Sequence, residues 1–304
     1  MTAAASRRRA VARLELAGAA LAFALMAVLG RRLSREYGFT AGHLSVIRFA
    51  IGAAVSLAAF GIWSGLYRPA RTGLLVSRGI SGGLVVILYF AALARVPAGE
   101  AGLIYNLFPV IATGMSFFTF GERPTMHLVA GLALATAGVA LVLGGGGLSG
   151  AFEVGHLAAL GAAVFAATSA NVIRAMRGTV NAPTIFFWFC IAGLPVVLPF
   201  ALDPWPRAID GWSIACVMGL LSFVAQVLMT EAYGALSVAE AASWLQLTPL
   251  VQYLVAVPLL GEPVTPIGLV GIVAGVVGVA WATVLGRRPA VAASTPAPPI
   301  PHDE

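Results

Sequence analysis

Runs of about 20 apolar residues, each broken by arginine, proline or a polar cluster, fill the chain from residue 13 to residue 285. They predict ten helical spans near 13–30, 41–63, 73–94, 98–120, 126–144, 154–173, 183–201, 211–233, 239–260 and 265–285. Each is long enough to cross the hydrocarbon core of a bilayer. The connections are short, so consecutive helices are expected to be antiparallel neighbours. Residues 1–12 form a small, basic N-terminal tail, and residues 286–304 carry the Pro296-Ala297-Pro298-Pro299 segment; both ends are expected to be disordered.

Polar and helix-breaking positions recur at a fixed interval. Glu100-Ala101, Pro109, Gly121-Glu122, Gly131 and Gly138 return 140 residues later as Glu240-Ala241, Pro249, Gly261-Glu262, Gly271 and Gly278. The chain therefore divides into two copies, 13–147 and 151–285, with five spans in each. Five is odd, so the second copy enters the membrane from the opposite face to the first. The expected fold is an all-α membrane protein of ten transmembrane helices, arranged as two inverted five-helix repeats. Such repeats can rock to open one side and then the other, which suits movement of a small solute.

Composition agrees with this reading and narrows it. Of 304 residues 60% are hydrophobic and 10% charged, with mean hydropathy +0.94. A soluble domain carries about 25% charged residues, so this chain cannot cover a water-exposed surface. The net charge of +6 comes from arginine alone, since lysine does not occur. Arginines scattered beside apolar runs read as topology signal and lipid-headgroup contact, with no nucleic-acid partner. With the N-terminus in the cytoplasm, inside segments hold twelve arginines, Arg78 among them. Outside loops hold five (Arg31, Arg32, Arg35, Arg95 and Arg207), and Arg48 falls within a span. The positive-inside rule then places both termini in the cytoplasm. Arg7 to Arg9 followed by an apolar run imitates a signal peptide. Its Phe23-Ala24 core, however, has the repeat counterpart Phe165-Ala166, so the run is kept as the first span. Cys190 and Cys216 each lie in an apolar run and read as small buried hydrophobes.

Polar residues inside spans are costly in lipid and should face the protein interior. Asn106, Pro109 and Thr113 share one helix face, and Gln246, Pro249 and Tyr253 repeat the spacing. Proline in mid-span frees a carbonyl and kinks the helix, so Pro109 and Pro249 are candidate kink or gating points. Asn106 and Gln246 can bind a substrate or bond a neighbouring helix. Span 8 adds Ser222, Gln226, Thr230 and Tyr233, with Gln226 nearest mid-membrane; span 6 adds Thr168 and Asn171, and span 3 adds Tyr89. Tyr105, Trp244 and Tyr253 border these faces and can stack on a flat or apolar substrate or pack between helices. Arg48 needs a partner or a wet surface; it binds a substrate carboxylate or snorkels to headgroups. Glu122 and Glu262 follow glycine at a helix stop and read as capping groups, whereas Glu231 is a candidate proton carrier. Gly131, Ala135 and Gly138, with Gly271, Gly275 and Gly278, allow close helix approach within or between subunits. No site for a metal or cofactor is called for, and a monomer is expected, with a dimer as the alternative.

The stretch Arg95-Val96-Pro97-Ala98-Gly99-Glu100-Ala101, Pro109 and Phe120-Gly121-Glu122-Arg123-Pro124-Thr125 resembles the EamA-type repeat of the drug/metabolite transporter superfamily. Leu236-Ser237-Val238-Ala239-Glu240-Ala241, Pro249 and Leu260-Gly261-Glu262-Pro263-Val264-Thr265 resemble it equally, and Arg48-Phe49 is similar to a pair common there. The resemblance covers about 13–285. It implies a ten-helix inverted-repeat carrier of the bacterial inner membrane with a central substrate cavity, exporting amino acids, including aromatic ones, or related metabolites. Riboflavin, S-adenosylmethionine and nucleotide sugars are cargoes of other branches. The sequence offers no His-Glu-x-x-His, Gly-x-Ser-x-Gly or Walker A motif, so an intramembrane enzyme is disfavoured, and no filter motif supports a channel.

Overall fold

The computed structural model describes residues 3–93, 95–96, 98–143, 153–261 and 264–285. Among these residues the fold is helical with no strand. The helices are α1 (Ala3–Tyr37), α2 (Ala41–Ile62), α3 (Thr72–Leu93), α4 (Ala98–Tyr105), α5 (Phe108–Phe120) and α6 (Met126–Leu143). The second half contains α7 (Val154–Met176), α8 (Ala182–Val197), α9 (Ile209–Ala232), α10 (Val238–Leu245), α11 (Leu247–Leu260) and α12 (Pro266–Val284). Taking α4 with α5 and α10 with α11 as single crossings, ten spans have the length and apolarity to cross a membrane.

Local chemistry sets the helix ends. Thr40, Asn181, Ser237 and Thr265 cap α2, α8, α10 and α12 through side-chain oxygens that accept a backbone N–H. Gly121 and Gly261 end α5 and α11 in the left-handed region, at φ 63° and 65°. The glycine of the repeated Gly-Glu pair is therefore a helix stop that a side chain would strain. Each fourth span is broken, at Asn106-Leu107 and at Gln246. Pro109 and Pro249 follow within three residues, where a missing N–H and a ring clash prevent a continuous helix.

The repeat also organises the packing. Helix α1 lies against α9 and α11, and its counterpart α7 lies against α3 and α5. The self-related pairs, α2 with α8 and α6 with α12, pack on each other across the pseudo-two-fold. The α6–α12 crossing is the tightest. A Cβ on Gly131 would stand 2.5 Å from the Ala282 nitrogen, and one on Gly138 would stand 2.6 Å from the Gly271 carbonyl oxygen. The small-residue stripes thus meet within one chain. Leu269, Val270, Val273 and Val277 leave the opposite side of α12 exposed, as a lipid-facing surface requires.

Two expectations are corrected. The N-terminal segment is helical from Ala3, because α1 continues to positions where Arg8 and Arg13 reach acidic partners. Arg31, Arg32 and Arg35 occupy the last turns of α1 rather than a loop, and Arg32 pairs with Glu36 at 2.9 Å. The proline-rich tail lies outside the described residues.

The glycine crossing generates a prediction. Gly278→Val drives a side chain into the Ala135 and Gly131 backbone, whereas Gly114→Ala has no heavy atom within 4 Å to meet. The first should cost about 1–3 kcal/mol and visibly lower the melting temperature in detergent, and the second should leave it unchanged. Equal melting curves would refute the close crossing.

Candidate functional site

The centre of the bundle is built around Arg78 on α3, which the sequence reading had assigned to a cytoplasmic segment. It is 4% exposed. Its Nη2 donates to Gln226 Oε1 on α9 at 3.1 Å, and Nη1 donates to Ser169 Oγ on α7 at 3.4 Å. The guanidinium carbon stands 4.1 Å from the centroid of the Phe189 ring on α8. Ser81, one turn along α3, shares a 2.7 Å hydrogen bond with Ser169. Four helices from both repeats therefore converge on one cation. Arg78 lies six residues into its helix and is almost wholly enclosed, so it is satisfied from within.

Arg48 on α2 is a second cation at this level. Its Nε donates to Ser222 Oγ at 2.9 Å, and this is its only hydrogen bond among the described residues. Ser222 and Gln226 are one turn apart on α9, so one helix holds both arginines. Neither arginine has a carboxylate within ion-pair distance among the described residues. Tyr105 on α4 has its ring 5.0 Å from Tyr89 on α3 and 5.6 Å from Phe108 on α5, which forms an aromatic cluster across the three helices.

Buried polar atoms without a partner include Arg78 Nε, Asn171 Oδ1, Trp188 Nε1, Tyr233 Oη, Trp244 Nε1 and Gln246 Oε1. Trp188, Tyr233, Trp244 and Phe108 belong to one apolar cluster. Asn171 spends its amide N–H groups on the Ala112 and Ala167 carbonyls of that cluster, leaving its oxygen over. Gln246, fully buried at the break between α10 and α11, donates to Thr136 Oγ1 on α6 at 2.9 Å. Buried orphan donors and acceptors each cost about 1–3 kcal/mol. Arg78 Nε is such a donor at the centre itself, a chemical reason to expect a polar ligand there.

Of the residues expected to bind substrate, Gln226 bonds Arg78 and Arg48 bonds Ser222 one turn away on α9; Tyr89 and Tyr105 lie ring against ring, Asn171 and Trp244 adjoin the apolar cluster, and Gln246 sits at the α10–α11 break against α6. Asn106 sits at the α4–α5 break, half-buried, and turns its amide back to the Gly102 carbonyl at 2.8 Å. Tyr253 lies elsewhere. Its hydroxyl accepts from the Thr265 N–H at 2.7 Å and ties α11 to the start of α12. Thr113 and Thr168 bond carbonyls of their own helices. Sequence reasoning missed Arg78, Ser169 and Trp188.

Beyond this centre, the face from which α1 starts is closed by ion pairs. Arg13 on α1 pairs with Glu240 on α10 at 2.6 Å. Arg177, after α7, pairs with Glu231 on α9 at 2.5 Å, and Arg8 reaches the same carboxylate at 3.5 Å. Burial pushes the Arg177 guanidinium below its usual pKa, and Glu231 partly restores it. Glu231, considered above as a proton carrier, is committed to two guanidiniums. Glu122 pairs with Arg174 at 3.4 Å and accepts the Val238 N–H at 3.1 Å. Its capping role is thus real, but it caps α10 of the other repeat. Glu122→Ala should remove about 1 kcal/mol of capping and speed amide hydrogen exchange across residues 238–245, with residues 266–284 unaffected. Unchanged exchange in α10 would show that this contact holds nothing.

Comparison with known proteins fits this geometry. The EamA-like transporter family matches the chain twice, at residues 14–144 and 153–284. The pseudopaline exporter CntI of Pseudomonas aeruginosa is 25% identical over 162 residues, covering 53% of this chain and 57% of the relative. A probable terminal-alkyne amino-acid exporter of Streptantibioticus cattleyicolor is 30% identical over 203 residues, covering 64% and 66%. The aromatic amino acid exporter YddG of Ancylobacter novellus is 31% identical over 193 residues, covering 58% and 64%. The aligned stretches thus span less than two thirds of each relative. A solved crystal structure superimposes with a TM-score of 0.78 at 24% identity, covering 91% of this chain and 99% of that one. That likeness establishes the fold. With two family matches that between them account for nearly all ten spans, the chain belongs to the EamA-like transporter family.

Proposed function

We propose that this protein is an exporter that carries an amino acid or a closely related small metabolite out of the cytoplasm. The observation that carries the proposal is a pair of arginines, the buried Arg78 and the half-buried Arg48, held by Gln226 and Ser222 with no carboxylate in ion-pair range among the described residues. A substrate carboxylate supplies the missing charge through charge-assisted, bidentate hydrogen bonds. Tyr89, Tyr105 and Trp244 offer apolar surface to the remainder of the substrate, and the free oxygens of Asn171 and Gln246 can accept from its amine. The names of three relatives, two of them amino-acid exporters, point the same way.

The proposed mechanism is alternating access. Two inverted repeats joined by a pseudo-two-fold can exchange conformations around a central site. The ion pairs at the N-terminal face form the closed gate on that side, and the breaks before Pro109 and Pro249 are the hinges. With Arg78 moved to the interior, the arginine count is eleven inside against five outside, which still supports the reading of both termini as cytoplasmic in a bacterial inner-membrane protein. No carboxylate falls mid-span, which favours facilitated efflux or exchange over proton coupling.

Efflux measured in reconstituted vesicles tests this reading, with a panel of amino acids and with and without a pH gradient. Arg78→Gln should lower flux at least tenfold, and Gln246→Ala and Asn106→Ala should lower it by a smaller factor. All three should insert normally. Wild-type flux in all three variants would mean that the site is misplaced, and ion conductance without metabolite flux would favour a channel.

A further inference from the structure

The two arginines of the central site exceed what one carboxylate needs. On insertion scales an arginine at mid-membrane costs about 2.5–3.5 kcal/mol, and pairing with an anion offsets that cost. A single carboxylate has two oxygens and satisfies one guanidinium bidentately. Arg48 and Arg78 approach from different helices, α2 and α3, and are anchored one turn apart on α9, by Ser222 and Gln226. That separation is about 5–6 Å along the helix axis, so the two guanidiniums present distinct sites rather than one clamp.

Their donors confirm the surplus. A guanidinium offers five N–H groups. Arg48 uses only Nε, on Ser222. Arg78, though 4% exposed, leaves Nε without a partner, and its other two nitrogens bond neutral oxygens. Glu15, inside α1, is taken by Arg8, and the other acidic residues stand at helix ends, in loops or in the C-terminal tail, so no carboxylate pairs with either arginine among the described residues. Two positive charges, unpaired by protein and set a turn apart, define their complement.

We infer that the transported substrate carries two anionic groups a few bonds apart, as in a dicarboxylic amino acid or another small dianionic metabolite. This inference rests on the proposal that the central site binds the cargo, and it narrows that cargo by charge. Arg78 holds one anionic group against Gln226 and Ser169, and Arg48 holds the other beside Ser222. No carboxylate stands in ion-pair range of either arginine among the described residues to receive an ammonium group, so the site recognises net negative charge.

Pairs of probes that differ by one charge test the inference: L-glutamate against L-glutamine, and succinate against succinamate. Each is assayed for binding to the purified native protein by thermal stabilisation and titration calorimetry, and for flux in vesicles. The dianionic-group member of each pair should bind at least tenfold tighter than its amide. Arg48→Gln should abolish that preference while its melting temperature without ligand stays within a few degrees of the native value. Native protein that binds glutamine as tightly as glutamate, with both lost in Arg78→Gln, would overturn the two-anion inference and leave the exporter reading standing. Absence of binding and flux for every probe and for the wider amino-acid panel would overturn the exporter reading, and this inference with it.

Discussion

The Arg78 guanidinium is enclosed by α3, α7, α8 and α9, with no acidic residue near it in the sequence and none paired with it among the described residues. In a bilayer such a charge must be satisfied by whatever converges on it, because water and headgroups are out of reach. Gln226, Ser169, Ser81 and the face of Phe189 are what converge. Their positions on four helices from both repeats fix how those helices face one another. Remove the cation and the polar groups around it lose their reason to be buried.

Duplication supplies the frame in which this arrangement is possible. Five spans per copy turn the second copy over, so α1 meets α9 while α7 meets α3. The self-related crossings then lie on the pseudo-two-fold, where glycine backbones of α6 and α12 touch. Off that axis the repeats diverge. Gln246 bonds another helix and its counterpart Asn106 bonds its own, and Glu122 caps a helix of the opposite repeat. The copies share a fold and have separated in their polar chemistry.

Much of the fold was legible because lipid allows few solutions. Apolar runs of bilayer length must be helices, and the repeat of Pro109 and Gly121 at Pro249 and Gly261 exposed the duplication. The glycine stripes announced a close crossing, although only the structure showed that both sides belong to one chain. The site was partly legible. Gln226, Asn171 and Tyr89 stood out as polar groups in apolar runs. Arg78 did not, because an arginine six residues into a span reads as a snorkelling topology signal until its partners on α7 and α9 are known. Trp188 sits in an aromatic-rich run where only its unpaired indole N–H marks it. The early start of α1 depends on Glu231 and Glu240, more than 220 residues away in sequence, which no local pattern reveals.

Cargo bound beside Arg48 and Arg78 has a reporter in the chain itself. Cys190 is buried on α8 next to Phe189, whose ring stacks on Arg78, and shares an apolar cluster with Phe49, next to Arg48, whereas Cys216 is exposed on α9. In a Cys216→Ser background, the alkylation rate of Cys190 by a small maleimide can be followed in vesicles with and without a transported metabolite. Saturating metabolite should slow alkylation severalfold, with a half-effect at the concentration that half-saturates transport. An alkylation rate untouched by a metabolite that is demonstrably carried would place the binding site elsewhere.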